Sequence, residues 1–305
     1  MTEERRYATP AALRSAITDR LRSAANADPG RNLADLRRQF AYDRLLYRVF
    51  TGEDRDRWVL KGATALLARL RGQARHSVDI DLFDRAGTLE DAEAALRAAA
   101  ARDAGDHFRF ELAPGRRIAE GGGALRVAVT AYLGASEFER FNVDLVARTG
   151  MTGTPDETDP LVPVEIPGIP RARYRIYPIA DHVADKLFAI LERHGRRDGP
   201  AIGSTRYRDL ADLVIIAHAQ EVQASALEAA LRAQAERRRL QVPPAFRPPD
   251  DTGWRAGYAR VAKDVPGLEE KEYVRAVETV RRFIEPVLTG AARGHWSPDR
   301  QAWTG

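Results

Sequence analysis

The chain predicts an α/β (α+β) fold, with a mixed-sheet core in its first half and a helical carboxy-terminal domain in its second. Three observations carry that expectation. Residues 58–83 read as an apolar run, a glycine turn, a helix and then an alternating strand. Three more strand-like runs follow near 107–113, 124–133 and 138–147. Beyond residue 178 strand patterns stop and helical periodicity takes over. The boundaries follow as 1–150 for amino-terminal helices and core, 151–178 for a Pro/Gly-rich linker, and 179–305 for the helical domain.

Two helices are expected first, over 10–26 and 32–50. In the second, Asn32 can cap the start, and Tyr42, Leu45, Leu46, Val49 and Phe50 recur on one apolar face. Next comes Trp58 to Phe83, WVLKGATALLARLRGQARHSVDIDLF. In its last part Val78, Ile80 and Leu82 are expected to face a core, while Ser77, Asp79 and Asp81 share the opposite face. Carboxylates two residues apart have Cα atoms roughly 6.6 Å apart and can converge on a hard divalent cation. The glycine turn Lys61-Gly62-Ala63-Thr64 opens a helix just before that strand, so free backbone N–H groups stand where a triphosphate could rest.

Thr88 and Asp91 have the spacing of a capping box for an alanine-rich helix running to about 102. Gly121-Gly122-Gly123 lies between two strands with no helix after it, which reads as a hairpin loop rather than a phosphate cradle. On the third strand Phe141, Val143 and Leu145 alternate with Asn142 and Asp144, so Asp144 stands opposite the apolar face. Helices are then expected over 179–195, 204–220, 224–240, 254–264 and 268–288, interrupted once by Pro243, Pro244, Pro248 and Pro249. The ending GHWSPDRQAWTG is aperiodic, either mobile or docked by Trp296 and Trp303.

Composition narrows the chemistry. With 44% hydrophobic and 30% charged residues in 305, the chain has an ordinary globular balance. It contains no apolar run long enough to span a membrane and no signal-peptide core at its start, so a cytoplasmic location with no membrane partner is expected. Zero cysteines remove disulfides, thiolate zinc sites and cysteine nucleophiles. The few histidines have no zinc-hydrolase spacing, and no G-x-S-x-G, Walker or dinucleotide motif occurs. A formal charge of +4 and a pI of about 9.5 suit a nucleic-acid partner without requiring one. Of 48 basic residues only four are lysine, at Lys61, Lys186, Lys263 and Lys271. In a chain that otherwise uses arginine, a retained lysine marks a candidate need for a compact ammonium. Lys186 borders the apolar stripe Val183, Leu187, Ile190 and Leu191, where a lysine can equally snorkel from an interface.

The glycine turn followed by Asp79-x-Asp81 resembles the polymerase-β-like nucleotidyltransferase core. More narrowly, Leu60-Lys61-Gly62-Ala63-Thr64-Ala65-Leu66 with Ser77-x-Asp79-x-Asp81 is similar to the AbiEii/MenT family of toxin nucleotidyltransferases. Two later blocks resemble the same family in order and spacing, Lys186-Leu187-Phe188-Ala189-Ile190 and Arg206-Tyr207-Arg208-Asp209-Leu210-Ala211-Asp212-Leu213. The resemblance implies transfer of a nucleoside monophosphate from an NTP to an acceptor, with Mg²⁺ or Mn²⁺ held by Asp79 and Asp81 and by Asp144 as a third carboxylate. Gly62, Ala63, Thr64, Ser77 and Lys186 would contact the nucleotide, and Asp144 or Asp209 would orient or deprotonate the acceptor, with Asp212 carried over only weakly.

It further implies a toxin of a toxin–antitoxin or phage-defence pair, with a cognate antitoxin and the tRNA 3′ end as target, blocking translation. Arginines at Arg193, Arg196 and Arg197, at Arg206 and Arg208, and at Arg237 to Arg239 would guide an RNA backbone. Two other readings stand beside it: a nucleotidyltransferase acting on a protein or small molecule, and a non-catalytic nucleic-acid-binding module.

Overall fold

The structure, a computed structural model, describes residues 7–28, 30–71, 74–118, 123–147, 150–196, 199–249 and 252–305. Two compact units emerge from its backbone packing. The first holds Met1–Gly72, His76–Thr149 and Pro155–Ile176, and the second Gln73–Arg75, Gly150–Thr154 and Tyr177–Gly305.

The first unit begins with helices α1 (Pro10–Ala27) and α2 (Leu33–Thr51). Each starts where its cap dictates: Thr9 accepts from the Ala12 amide at 3.2 Å, and Asn32 from the Asp35 amide at 2.8 Å. Strand β1 (Trp58–Lys61) leads into α3 (Gly62–Arg69), and β2 (Asp79–Asp84) follows. The Thr88/Asp91 capping box forms as expected and opens α4 (Leu89–Ala100). Then come β3 (Phe108–Leu112), β4 (Arg116–Arg117), β5 (Ala124–Leu133), β6 (Ser136–Ala147), β7 (Asp156–Thr158) and β8 (Tyr174–Ile176). The glycine triplet expected as a loop lies, except for Gly123, outside the described residues.

These strands make one mixed sheet in the order β3-β5-β6-β2-β1-β8-β7, with β4 also on β5. The β2–β6 and β1–β8 pairs are parallel and the others antiparallel. Leu125, Val127, Phe141, Val143, Leu145, Ile80 and Leu82 are buried, and Tyr42 of α2 meets Phe141 edge-on at 4.8 Å between ring centroids. Alternation then puts Asp79, Asp81, Arg126, Asn142 and Asp144 together on the other face. Asp106 is fully buried against Arg44 and Arg48 of α2 at 2.8 and 2.7 Å, fixing that helix to the entrance of β3.

The segment expected as a linker, 151–178, contributes β7 and β8 to this sheet, and Leu60 pairs with Ile176. Its prolines punctuate a backbone whose apolar residues Leu161, Val162, Ile166 and Tyr174 are buried. Asp43 of α2 binds the segment by accepting from the amides of Leu161 and Val162, each at 3.0 Å, and from the Tyr174 hydroxyl at 2.6 Å.

The second unit contains α5 (Ile179–Leu191), β9 (Arg193–Arg196), β10 (Gly199–Gly203), α6 (Tyr207–Ala219), β11 (Val222–Gln223), α7 (Ala224–Arg238), α8 (Thr252–Lys263), α9 (Tyr273–Leu288), β12 (His295–Ser297) and β13 (Ala302–Thr304). Its helices match the expectation, but strands do not stop at residue 178. β9 and β10 pair as a hairpin where helix ends were expected, and β11, β12 and β13 form a three-stranded sheet. The aperiodic tail is docked. Trp296 is fully buried 5.0 Å from the Phe283 ring and donates through Nε1 to the Ala217 carbonyl at 2.7 Å.

Candidate active site

In the first unit the site is built on the β1–α3 turn and the first residues of β2. Gly62 has φ +63°, a conformation that favours glycine, and opens α3 with no side-chain cap on its amides. Lys61 and Asp81 are register partners across β1 and β2. A Cβ on Gly62 would lie 1.9 Å from Asp81 Oδ2, so only glycine lets the helix start stand against that carboxylate. The amino end of α3, with its uncapped N–H groups, therefore abuts an acidic strand.

Two expected nucleotide contacts are used otherwise. Thr64 is fully buried and its hydroxyl donates to the Asp79 carbonyl at 2.7 Å; the Ser77 hydroxyl donates to the same carbonyl, also at 2.7 Å. Both pin the first residue of β2 in place, since an unpaired carbonyl at a buried strand start is costly. Ser77 does not share a strand face with the two aspartates, because β2 begins only at Asp79. Val78, expected in the core, is 61% exposed for the same reason.

The acidic face carries more than its motif. The β2–β6 register sets Asp79 beside Asn142 and Asp81 beside Asp144, and the β5–β6 register sets Arg126 opposite Asp144. Arg126 donates from Nε and Nη2 to the two oxygens of Asp144, each at 2.7 Å, and from Nη2 to Asp79 Oδ2 at 3.1 Å. Asn142 gives its amide to the other Asp79 oxygen at 2.9 Å. The hydrogen bonding to Asp144 raises the Arg126 pKa against burial, with the charges of Asp144, Asp79 and Asp81 adding to it.

The oxygen-only donor set of Asp79 and Asp81 fits a hard divalent cation. Asp144, expected as a third ligand, accepts from Arg126 through both oxygens, as Asp79 does from Arg126 and Asn142, and no cluster of three His, Cys, Asp or Glu suited to a metal occurs among the described residues.

The remaining expected residues gather in the second unit. Lys186 on α5 donates to Asp209 Oδ1 at 3.0 Å and to Asp212 Oδ2 at 2.5 Å, both on α6, and Arg75 reaches Asp212 at 3.2 Å. The i, i+3 spacing on α6 puts both carboxylates on one side of the helix, facing α5. Lys186 does not snorkel; its side chain is 6% exposed. Burial opposes its charge, yet Asp212 and then Asp209 outweigh burial and raise its pKa. Burial likewise opposes the Asp209 charge, and Lys186 overcomes it to lower that pKa.

Three side chains in these clusters were missed by sequence reasoning: Arg126, Asn142 and Arg75. Arg126 and Asn142 carry the signal of polar residues on the outward phase of alternating strands, while Arg75 carries none. Of the expected RNA-guiding arginines, Arg206 and Arg208 are exposed and Arg238 is tied to Glu192 at 2.6 Å. Arg197 lies outside the described residues.

A strand, a glycine-opened helix and a second strand with a paired-aspartate face define a nucleotidyltransferase. The family model described as "Nucleotidyl transferase AbiEii toxin, Type IV TA system" matches residues 44–284, and the chain belongs to that family of type IV toxin–antitoxin nucleotidyltransferase toxins. The fold is similar to that of MenT4, nucleotidyltransferase toxin Rv2826c from Mycobacterium tuberculosis H37Rv, at TM-score 0.50 and 18% identity over 92% of this chain and 99% of that one. JHP933 from Helicobacter pylori aligns at TM-score 0.47 and 16% identity over 84% of this chain and 94% of its own. A putative nucleotidyltransferase from H. pylori aligns at 0.45 and 16% over 85% and 98%. No curated protein matches the chain. The family implies an NTP co-substrate and a cognate antitoxin. Among the described residues no helix is long and apolar enough to cross a membrane.

Proposed function

We propose that the protein transfers a nucleoside monophosphate from an NTP to the 3′ end of tRNA in the cytoplasm, blocking translation, with Mg²⁺ or Mn²⁺ held by Asp79 and Asp81. The observation that carries this reading is the abutment of the α3 amino end on Asp81, which only Gly62 permits. It sets a phosphate-binding helix start against carboxylates that suit a metal, and phosphoryl transfer needs mainly positioning and charge neutralisation. When bound, divalent ions would neutralise the triphosphate and activate the attacking hydroxyl.

The chain's own residues do the rest. The Gly62 and Ala63 amides receive phosphate oxygens, and Thr64 and Ser77 hold β2 by its Asp79 carbonyl. The acceptor oxygen bonds to the α-phosphorus as the bond to the departing pyrophosphate breaks. In the second unit Asp209 and Asp212 fix the Lys186 ammonium, a positioning role. Arg206 at the cap of α6, Arg208 on it and Arg239 after α7 are exposed and would meet an RNA backbone.

The test is to incubate the protein with each α-labelled NTP and total RNA, with Asp79→Ala and Asp81→Ala beside it. Label should enter tRNA, and each variant should lose at least ~10² in rate. Label entering a protein or metabolite while RNA stays blank overturns the acceptor; transfer undiminished in both variants overturns the site.

A further inference from the structure

Arg126 stands beside the carboxylates of the acidic face. It projects from β5 opposite Asp144, on the sheet face that also carries Asp79 and Asp81. Its guanidinium takes both Asp144 oxygens and one Asp79 oxygen, and Asn142 takes the second Asp79 oxygen. All four oxygens of these two carboxylates already have a donor. Each of these oxygens keeps a second lone pair, so a metal ion at Asp79 can bind beside these donors, but it must do so next to the Arg126 charge.

We propose that Arg126 is a tethered counter-ion of the acidic site: it holds Asp79 and Asp144 in position and its charge competes with a divalent ion for Asp79, so it sets the site's affinity for metal. The inference rests on the reading of Asp79 and Asp81 as the metal-holding pair.

Three features fit such a counter-ion. The two bonds to Asp144 are 2.7 Å and the one to Asp79 is 3.1 Å, so the contact with the metal-holding carboxylate is the longer one while the anchor to the neighbouring strand is bidentate. The Arg126 side chain is 33% exposed, which leaves it within reach of water. Arginine is also the residue the task requires, because a planar fork can grip one carboxylate with two nitrogens and still reach a second, whereas a lysine ammonium is a point charge. As a positioning residue, Arg126 would act on metal binding through Asp79 rather than by touching the transferred phosphate.

The experiment measures Mn²⁺ binding by calorimetry and by the free-ion EPR signal, without NTP, on the full chain and on the variants Arg126→Met, Arg126→Lys and Asp81→Asn. Thermal unfolding is followed in chelator and in Mn²⁺. Removing one adjacent competing charge should tighten Mn²⁺ binding by about tenfold in Arg126→Met. The same variant should unfold at a lower temperature than the parent in chelator, because its carboxylates repel without a counter-ion, and Mn²⁺ should close that gap. Arg126→Lys, which keeps charge and loses the fork, should bind Mn²⁺ with intermediate affinity and serves if Arg126→Met fails to fold.

Mn²⁺ affinity that is unchanged or weaker in the folded Arg126 variants, while Asp81→Asn abolishes binding, overturns the counter-ion and leaves the metal pair standing. Mn²⁺ binding as tight in Asp81→Asn as in the parent overturns the metal pair and the counter-ion with it.

Discussion

Two polar clusters, one in each unit, solve the problem of gathered carboxylates in opposite ways. On the sheet face one guanidinium bridges Asp79 and Asp144, Lys61 stands in register beside Asp81, and the side chains remain partly open, Asp79 at 24% and Asp144 at 13% exposure. Between α5 and α6, Asp209 and Asp212 meet Lys186 and Arg75, with Arg206 3.9 Å from Asp209; the Asp212 side chain is fully buried and Asp209 is 13% exposed. The first cluster has carboxylates in excess and access to solvent, the condition for recruiting a cation. In the second the carboxylates are matched by cations around an ammonium that is only 6% exposed, the condition for holding it in one place. Charge balance and exposure together, rather than the presence of aspartates, separate a group that can bind from a group that positions.

The contrast is broken most severely by unbalancing the closed cluster. Asp212→Ala would leave Lys186 and Arg75 facing a cavity where a fully buried carboxylate stood. Removing one partner of a buried ion pair costs about 3–5 kcal/mol, so the second unit should lose much of its stability. Denaturant unfolding of the variant checks this, and a midpoint equal to the parent's would make the cluster a surface feature. The open cluster answers differently. Asp144→Asn should cost less than Asp212→Ala because its site is partly solvated, about 1–2 kcal/mol for weakening one charge-assisted pair. A larger loss than that of Asp212→Ala would invert the comparison.

A smaller and more local effect separates geometry from charge. Gly62→Ala changes no charge, but it puts a Cβ into Asp81 Oδ2 and forces an alanine to φ +63°. The strain costs about 1–3 kcal/mol, and because Asp81 must turn away, transfer should fall more than stability does. Activity preserved in a stable Gly62→Ala variant would show that the helix start and the carboxylate need not abut.

Sequence reading reached the parts of this site that depend on local order. The glycine turn, the helix and the paired aspartates lie within one stretch, and alternation alone puts Ile80 and Leu82 inside and Asp79 and Asp81 outside. It failed where the answer depends on where a strand begins or how strands align. Alternation carried back through Val78 and Ser77 assumes a strand that starts only at Asp79. Arg126 faces Asp144 because of a β5–β6 register that shifts between Ala131 and Tyr132, a bulge with no mark in the sequence. The role of Thr64 was misread because its spacing places it correctly at the helix start but cannot say whether its hydroxyl faces solvent or the neighbouring strand. Lys186, Asp209 and Asp212 were singled out by the scarcity of lysine and by resemblance to family blocks, whereas their mutual pairing depends on α5 packing on α6.

The smallest prediction uses pH to read the closed cluster. Asp209 has a folded pKa lowered below its ordinary value of 3.8, since Lys186 outweighs the burial that would raise it. A lowered carboxyl contributes stability that is full above the unfolded value and is lost as pH falls through the folded value. Its pH window therefore lies below 3.8. Lys186, raised above 10.5, contributes stability that is full below that value and lost as pH climbs through the folded one. Asp209→Asn removes the acid-side contribution, so the fall in unfolding temperature between pH 4 and pH 2 should be shallower than in the parent. It should not vanish, because Asp106 in the first unit is also lowered, by Arg48 and Arg44 against its burial, and keeps its own loss in the same direction. On the alkaline side the variant should lose stability at lower pH than the parent, because the Lys186 ammonium has one carboxylate fewer to hold its proton. Thermal unfolding across both limbs checks the pair of shifts together; unchanged slopes would mean that Lys186 and Asp209 do not share their charge in solution.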